Sequence, residues 1–165
     1  KMSEESSIQK QNEIQDKDDI PIYESFEDMD LKEDLLRGIY ATGYEKPSVI
    51  QQKGIKAFVE GGDLIAQAQS GTGKTATFSI GTLQSVVKER STQAIIISHT
   101  RELALQIYNV ITSISKYMKL SICLLTGGTR LMQPVTGYIN TLCNGTSARE
   151  FDQDTGERPG RLVRS

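Results

Sequence analysis

Residues 63–75 read Asp-Leu-Ile-Ala-Gln-Ala-Gln-Ser-Gly-Thr-Gly-Lys-Thr: a short apolar run, a loop of small residues, then a lysine and a hydroxyl residue opening a helix-forming stretch. Strand, loop and helix in that order form the P-loop arrangement, with Ala68 standing where the usual pattern has its first glycine. The residue types have chemical reasons. Gly71 and Gly73 let the backbone turn so that successive N–H groups face phosphate oxygens, Lys74 brings a point charge to the β and γ phosphates, and the Thr75 hydroxyl is a ligand for Mg²⁺. The positive end of the helix dipole at Lys74 adds to the same field. Ser70, Gly71, Thr72, Gly73, Lys74 and Thr75 are therefore the candidate phosphate site. The competing reading, a small-residue turn with a chance lysine, does not account for the strand and helix on either side.

The rest of the chain can be arranged around that loop. Residues 1–20 carry no apolar periodicity and read as a polar leader. Leu31, Leu35, Leu36 and Ile39 fall on one helical face, Asp30 with Glu33 resembles a capping box, and Gly43 is the expected terminator. A second helix runs through Ile50, Ala57 and Phe58, weakened by Gly54. Asp63–Ala68 is a strand candidate, and a third helix is expected over about Lys74–Lys88. Gln93–Ser98, with three consecutive isoleucines, predicts a buried strand. The best helix follows it: Leu103, Ile107, Val110, Ile111, Ile114 and Met118 keep a spacing of three and four. Leu120–Thr126 is the third strand, stopped by Gly127 and Gly128. Strands alternating with helices imply parallel pairing through right-handed crossovers, hence an open α/β sheet whose ligands gather at the carboxyl ends of its strands.

Composition narrows the function classes. The N-terminal stretch is polar and acidic where a secretory signal would be apolar, which predicts a reducing compartment, cytoplasmic or nuclear. No apolar run approaches the roughly 20 residues that cross a bilayer. Cys123 and Cys143 then read as free thiols. With the single His99 they lack the spacing of a zinc site, and the glycosylation-type match at Asn144 loses its force. A formal net charge of −2 excludes a generally basic nucleic-acid surface. Any RNA or DNA contact must come from helix N-termini, a few arginines and main-chain amides.

A phosphate loop does not choose a base. A glutamine amide offers one donor and one acceptor, which is what the N6 and N7 edge of adenine requires, so Gln51 is a candidate reader. Phe26, seventeen residues before Gly43, is a candidate stacking ring. On the residues alone the other reading, Pro47-Ser48 starting a helix with Gln51 on a solvated face, stands beside it.

Phe26, the stretch Gly43 to Gln51, Ala68 to Thr75, Thr100-Arg101-Glu102-Leu103-Ala104 and Gly127-Gly128-Thr129, in that order and spacing, resemble the first half of the DEAD-box RNA helicases, and within them the translation initiation factor four-A group. The resemblance runs from about Tyr23 to Thr129. It implies a RecA-like P-loop domain, here incomplete, of α/β class with a parallel sheet and flanking helices. It also implies ATP or ADP with Mg²⁺ as cofactors and an RNA backbone as the second ligand. Carried over by position, Phe26, Tyr44, Lys46 and Gln51 form the adenine end of the cofactor site, Thr100 and Arg101 touch the RNA sugar-phosphate backbone, and Gly127 and Gly128 form a further RNA-contacting turn. A hydroxyl and an arginine at a helix start make a sequence-independent phosphate site on physical grounds too. The other reading is that Thr100 caps the long helix.

Departures matter equally. His99 replaces the proline that precedes Thr-Arg-Glu-Leu-Ala in the family. After Thr129 the family continues through a Thr-Pro-Gly-Arg turn to a strand ending in Asp-Glu-Ala-Asp, and that acidic motif does not occur in these 165 residues. Asp152 and Asp154 are the nearest substitutes, but no apolar run leads into them. Arg158-Pro159-Gly160-Arg161 matches part of the turn, with Arg158 in place of its threonine. Residues 21–129 thus read as a partial ATP-binding domain and 130–165 as an irregular or disordered tail, whether native or the product of truncation or a frame change. Three roles follow: a partial helicase domain binding nucleotide and, weakly, RNA without unwinding it; a non-enzymatic module competing for translation or RNA-processing scaffold proteins; or an unrelated P-loop ATPase with a late acidic contribution from Asp152 or Asp154. A loosely packed C-terminal third with an unpaired apolar strand edge is expected.

Overall fold

The computed structural model of the chain describes residues 23–61, 63–87, 92–126, 139–143 and 161–164. A 3-10 turn, Glu27–Met29, leads into three helices: α1 (Glu33–Ala41), α2 (Val49–Glu60) and α3 (Lys74–Ser85). Strand β1 (Ala94–Ser98), helix α4 (Arg101–Ile114) and strand β2 (Ile122–Leu125) come next, and β3 (Ile139–Cys143) and β4 (Arg161–Arg164) complete the order. The four strands form one sheet in the order β2-β3-β1-β4, and every pairing is parallel. Ile96, in the middle of β1, stands opposite Thr141 of β3 and Val163 of β4. The continuous isoleucines of β1 are what a central parallel strand demands, since both of its faces turn inward.

Helix α4 lies on this sheet against β1, β2 and β3; α1 and α3 pack on α4, and α2 packs on α3. The predicted stripe of α4 is the buried one, with Ile107, Ile111 and Ile114 fully enclosed. Leu35 and Ile39 do the same for α1. Two crossings depend on missing side chains. A Cβ on Gly38 of α1 would lie 1.7 Å from the carbonyl oxygen of Ile114, so only glycine lets α1 come this close to the end of α4. At the α2–α3 crossing, Gly54 faces the Thr77 methyl and Gly81 faces the Phe58 ring, with a Cβ on either meeting its neighbour at 2.6 and 2.5 Å. Gly54 therefore serves the packing rather than merely weakening a helix.

Several expectations are corrected. Residues 63–68 are not a strand: Leu64 is 43 % and Ile65 98 % exposed, and the sheet's place beside β1 is taken by β4. An apolar run becomes a strand only where a neighbour completes its hydrogen bonds. The Asp30–Glu33 capping box does not form. Lys32 is the N-cap of α1, without a side-chain cap, and Asp30 instead ends the 3-10 turn in the left-handed region at φ 54°. Helix α3 stops at Ser85, because Val86 is extended. The stretch 130–165, expected to be irregular, contributes β3 and β4, so β1 is paired on both edges. Their short mixed sequences, Ile-Asn-Thr-Leu-Cys and Arg-Leu-Val-Arg, carry little strand signal alone; the register against β1 supplies it. Among the described residues no helix is long and apolar enough to cross a membrane.

Candidate nucleotide and nucleic-acid site

The loop before α3 has the conformation its glycines permit. Gly71 and Gly73 have φ of 80° and 97°, the left-handed region that side chains with a Cβ avoid. Thr72 donates its hydroxyl to the Gln69 carbonyl at 2.8 Å, closing the turn. The Lys74 ammonium folds back on the same loop, donating to the Ala68 carbonyl and, at 2.9 Å, to that of Gln69. Thr77 binds the Gly73 carbonyl through both its amide and its hydroxyl, each at 3.0 Å, which anchors the first turn of α3. Thr75 is half-buried in the first turn of α3.

The start of α2 seats directly on this loop. Gln51 is 3 % exposed; its side-chain oxygen accepts the Ser48 amide at 2.8 Å, the reciprocal half of a capping box, and a Cβ on Gly73 would lie 2.6 Å from its Nε2. Ser48 donates its hydroxyl to the Thr72 carbonyl at 2.8 Å. The solvated-face alternative for Gln51 is thus excluded, and the helix-start alternative holds in part: Gln51 is a capping residue and a neighbour of the phosphate loop at once. Sequence reasoning reads Ser48 only as part of a helix start and misses its contact with Thr72 of the loop, although Ser-x-x-Gln at 48–51 is a legible capping signature.

The remaining candidates are placed unevenly. Tyr44 is half-buried against the core, and burial pushes its phenol above the ordinary value; Lys46 is exposed. Phe26 is 0 % exposed, with its ring edge-on to that of Tyr40 at a centroid distance of 6.1 Å. It does not present a face to solvent, so stacking on a base requires the ring to be uncovered. Thr100 is the N-cap of α4 and accepts the Leu103 amide at 3.1 Å, so the capping reading holds for it; Arg101 follows it, exposed. Ser98, at the end of β1, donates to the Thr100 carbonyl at 3.1 Å and shapes the turn between them. Gly127, Gly128, Asp152 and Asp154 lie outside the described residues, as does Arg158. Cys123 is a free thiol, half-buried, and burial raises its pKa.

As a Mg²⁺ site the arrangement offers one hydroxyl, from Thr75, and among the described residues no group of three or more His, Cys, Asp or Glu comes together. That donor set fits an ion carried in on phosphate oxygens and water, the usual habit of Mg²⁺, rather than one held by protein alone.

Known proteins share this architecture. In solved structures, the chain is similar to Saccharomyces cerevisiae Dbp5 bound to RNA and ADP BeF3, at 26% identity and a TM-score of 0.74, over 87% of this chain and 46% of that one. It is also similar to a DEAD box protein from Methanococcus jannaschii, at 24% identity and a TM-score of 0.70, over 87% and 50% of the two chains. The expected fold, an incomplete RecA-like α/β domain, is therefore the observed one. Among curated proteins, it is 49% identical over 143 residues to the ATP-dependent RNA helicase fal1 of Schizosaccharomyces pombe, covering 85% of this chain and 36% of the relative. It is 49% identical over 130 residues to the ATP-dependent RNA helicase eIF4A of Scheffersomyces stipitis, covering 77% and 33%. The chain thus spans about a third of the length of these relatives. The family profile matches residues 48–147, so the likeness continues past Thr129 and takes in β3. With that profile matching more than half of its residues, the chain belongs to the DEAD/DEAH box helicase family.

Proposed function

We propose that this chain binds an adenine nucleotide with Mg²⁺ at the junction of α2 and α3 and offers the start of α4 to an RNA backbone. The observation that carries the reading is the seating of Gln51 on Gly73: a side chain suited to an adenine edge touches the loop suited to phosphates. Lys74 must leave the Ala68 and Gln69 carbonyls to meet a phosphate, exchanging two neutral acceptors for a charged one. Thr75 would hold Mg²⁺ through its hydroxyl. When bound, the ion neutralises charge on the phosphates. At the second site Thr100, Arg101 and the N-terminal end of α4 suit a sugar-phosphate chain without regard to base. Solved Dbp5 has RNA and ADP BeF3 bound, and another Dbp5 structure holds the proteins Nup159 and Gle1, so nucleotide, RNA and scaffold proteins are the partner classes proposed for this relative too.

Binding rather than turnover is assigned to these residues. Phosphoryl transfer to water in P-loop proteins uses an Asp beside the P-loop hydroxyl to hold Mg²⁺ and a further residue to orient the water, and the Asp-Glu-Ala-Asp of the family is not in this sequence. The test is calorimetric titration of the full chain with MgADP. Saturable binding below millimolar concentration, weakened at least about tenfold by Lys74→Ala, is expected, a loss of the size of one charge-assisted contact. Absence of saturable binding, or equal binding by the variant, defeats the reading.

A further inference from the structure

We propose that Gln84 is a positioning residue of the nucleotide site, a latch that ties the segment carrying Phe26 to the far end of the helix whose first residue is Lys74. The inference rests on the nucleotide reading above. Gln84 Oε1 accepts the Lys32 amide at 2.9 Å and its Nε2 donates to the Asp30 carbonyl at 3.1 Å. Lys32 Nζ completes the tie by donating to the Val86 carbonyl at 2.5 Å. These bonds join residues more than fifty positions apart in sequence, and they close on the stretch that follows Phe26 and the 3-10 turn. On the other flank of the turn, Tyr40 donates its hydroxyl to the Glu27 carboxylate.

The residue type suits the task. One side chain must accept from an N–H and donate to a C=O two residues apart, which an amide does, whereas a carboxylate only accepts and an ammonium only donates. The donor it satisfies is the backbone amide of Lys32, the N-cap of α1, and the acceptor is the carbonyl of the left-handed Asp30, so the latch fixes the link between the 3-10 turn and α1. Helix α3 then works as a ruler. Lys74 and Gln84 stand on it about 15 Å apart at 1.5 Å per residue, so the phosphate end and the segment bearing Phe26 are referred to one rigid element. Releasing the latch frees the base end of the site and leaves the phosphate loop, with its own hydrogen bonds, in place.

The experiment compares MgADP with inorganic pyrophosphate plus Mg²⁺ as calorimetric probes on the full chain and on Gln84→Ala, Gln84→Glu and Lys32→Met, with thermal melts run alongside. Gln84→Ala is expected to weaken ADP about fivefold, the effect of losing one or two neutral hydrogen bonds, while pyrophosphate affinity stays within about twofold of the parent. Gln84→Glu keeps the acceptor for Lys32 and recovers part of the loss; Lys32→Met, which removes the bond to Val86 and leaves Gln84 intact, follows Gln84→Ala at smaller size. Unchanged ADP binding in folded Gln84→Ala overturns the proposal, and so does an equal loss for both probes, which marks a purely structural role. If Gln84→Ala does not fold, Lys32→Met and Gln84→Glu decide by the same ratio of ADP to pyrophosphate. A parent chain that binds neither probe removes the nucleotide reading and this proposal with it; one that binds both while the variants keep the parental ratio removes this proposal alone.

Discussion

Tyr40 ties α1 to the turn after Phe26 through the Glu27 carboxylate, and both groups are shifted by the contact. Partial burial, then the hydrogen bond and charge of Glu27, push the Tyr40 phenol up to about 12, while the Tyr40 hydroxyl bond holds Glu27 below the usual carboxylate range. The sign for stability follows. Above about pH 10 the unfolded chain loses its phenolic proton and the folded one keeps it, so stability falls as pH rises from there toward about 12. Tyr40→Phe should show a shallower alkaline decline of the melting temperature, by about 2 °C across that window, since the residue is 37 % exposed and the contact is screened. Melts of both proteins at matched pH check it; equal slopes refute it. At this scale the glycine turn before α3 was legible, because Gly71 and Gly73 answer to local backbone geometry. Whether Gln51 read a base, capped α2 or faced water was not, since that depends on Gly73 lying against it, twenty-two positions on. For Phe26 the spacing marks the residue and says nothing of the Tyr40 ring beside it or of its burial.

Helices α1 and α4 meet where Gly38 lies against the Ile114 carbonyl. Gly38→Ala places a methyl at 1.7 Å from that oxygen, and neither backbone can yield without moving a helix. The expected cost is about 3 kcal/mol by urea unfolding, the upper part of the usual range for overpacking. Alanine's better helix propensity offsets only about 1 kcal/mol, so an unchanged midpoint would show that α1 is free to shift. The helices themselves were readable from spacing, α4 best of all, since six apolar residues at three and four define one face. Boundaries were not: the start of α1 is set by Gln84 and Lys32 rather than by a local cap. Strands were read well only where apolar content was high. β1 and β2 announce themselves, β3 and β4 do not, and 63–68 announces a strand that the sheet does not take up.

Taken as a whole, the molecule places the most exposed large apolar side chain among the described residues next to its candidate site. Ile65, 98 % exposed, and Leu64 lie on the stretch that runs directly into the phosphate loop. Ile65→Lys removes exposed apolar area without opening a cavity, so its unfolding free energy should stay within about 0.5 kcal/mol of the parent while the concentration at which the chain aggregates rises. Light scattering together with urea unfolding tests this, and a marked loss of stability would mean that Ile65 is buried in solution. The pairing of β1 has a different consequence. Its two neighbours come from 139–143 and 161–164, so as the polypeptide leaves the ribosome β1 waits, bare on both sides, while the helices that precede and follow it are already out. Synthesis therefore passes through an interval in which the isoleucines of Ala94–Ser98 need a chaperone more than the finished protein does.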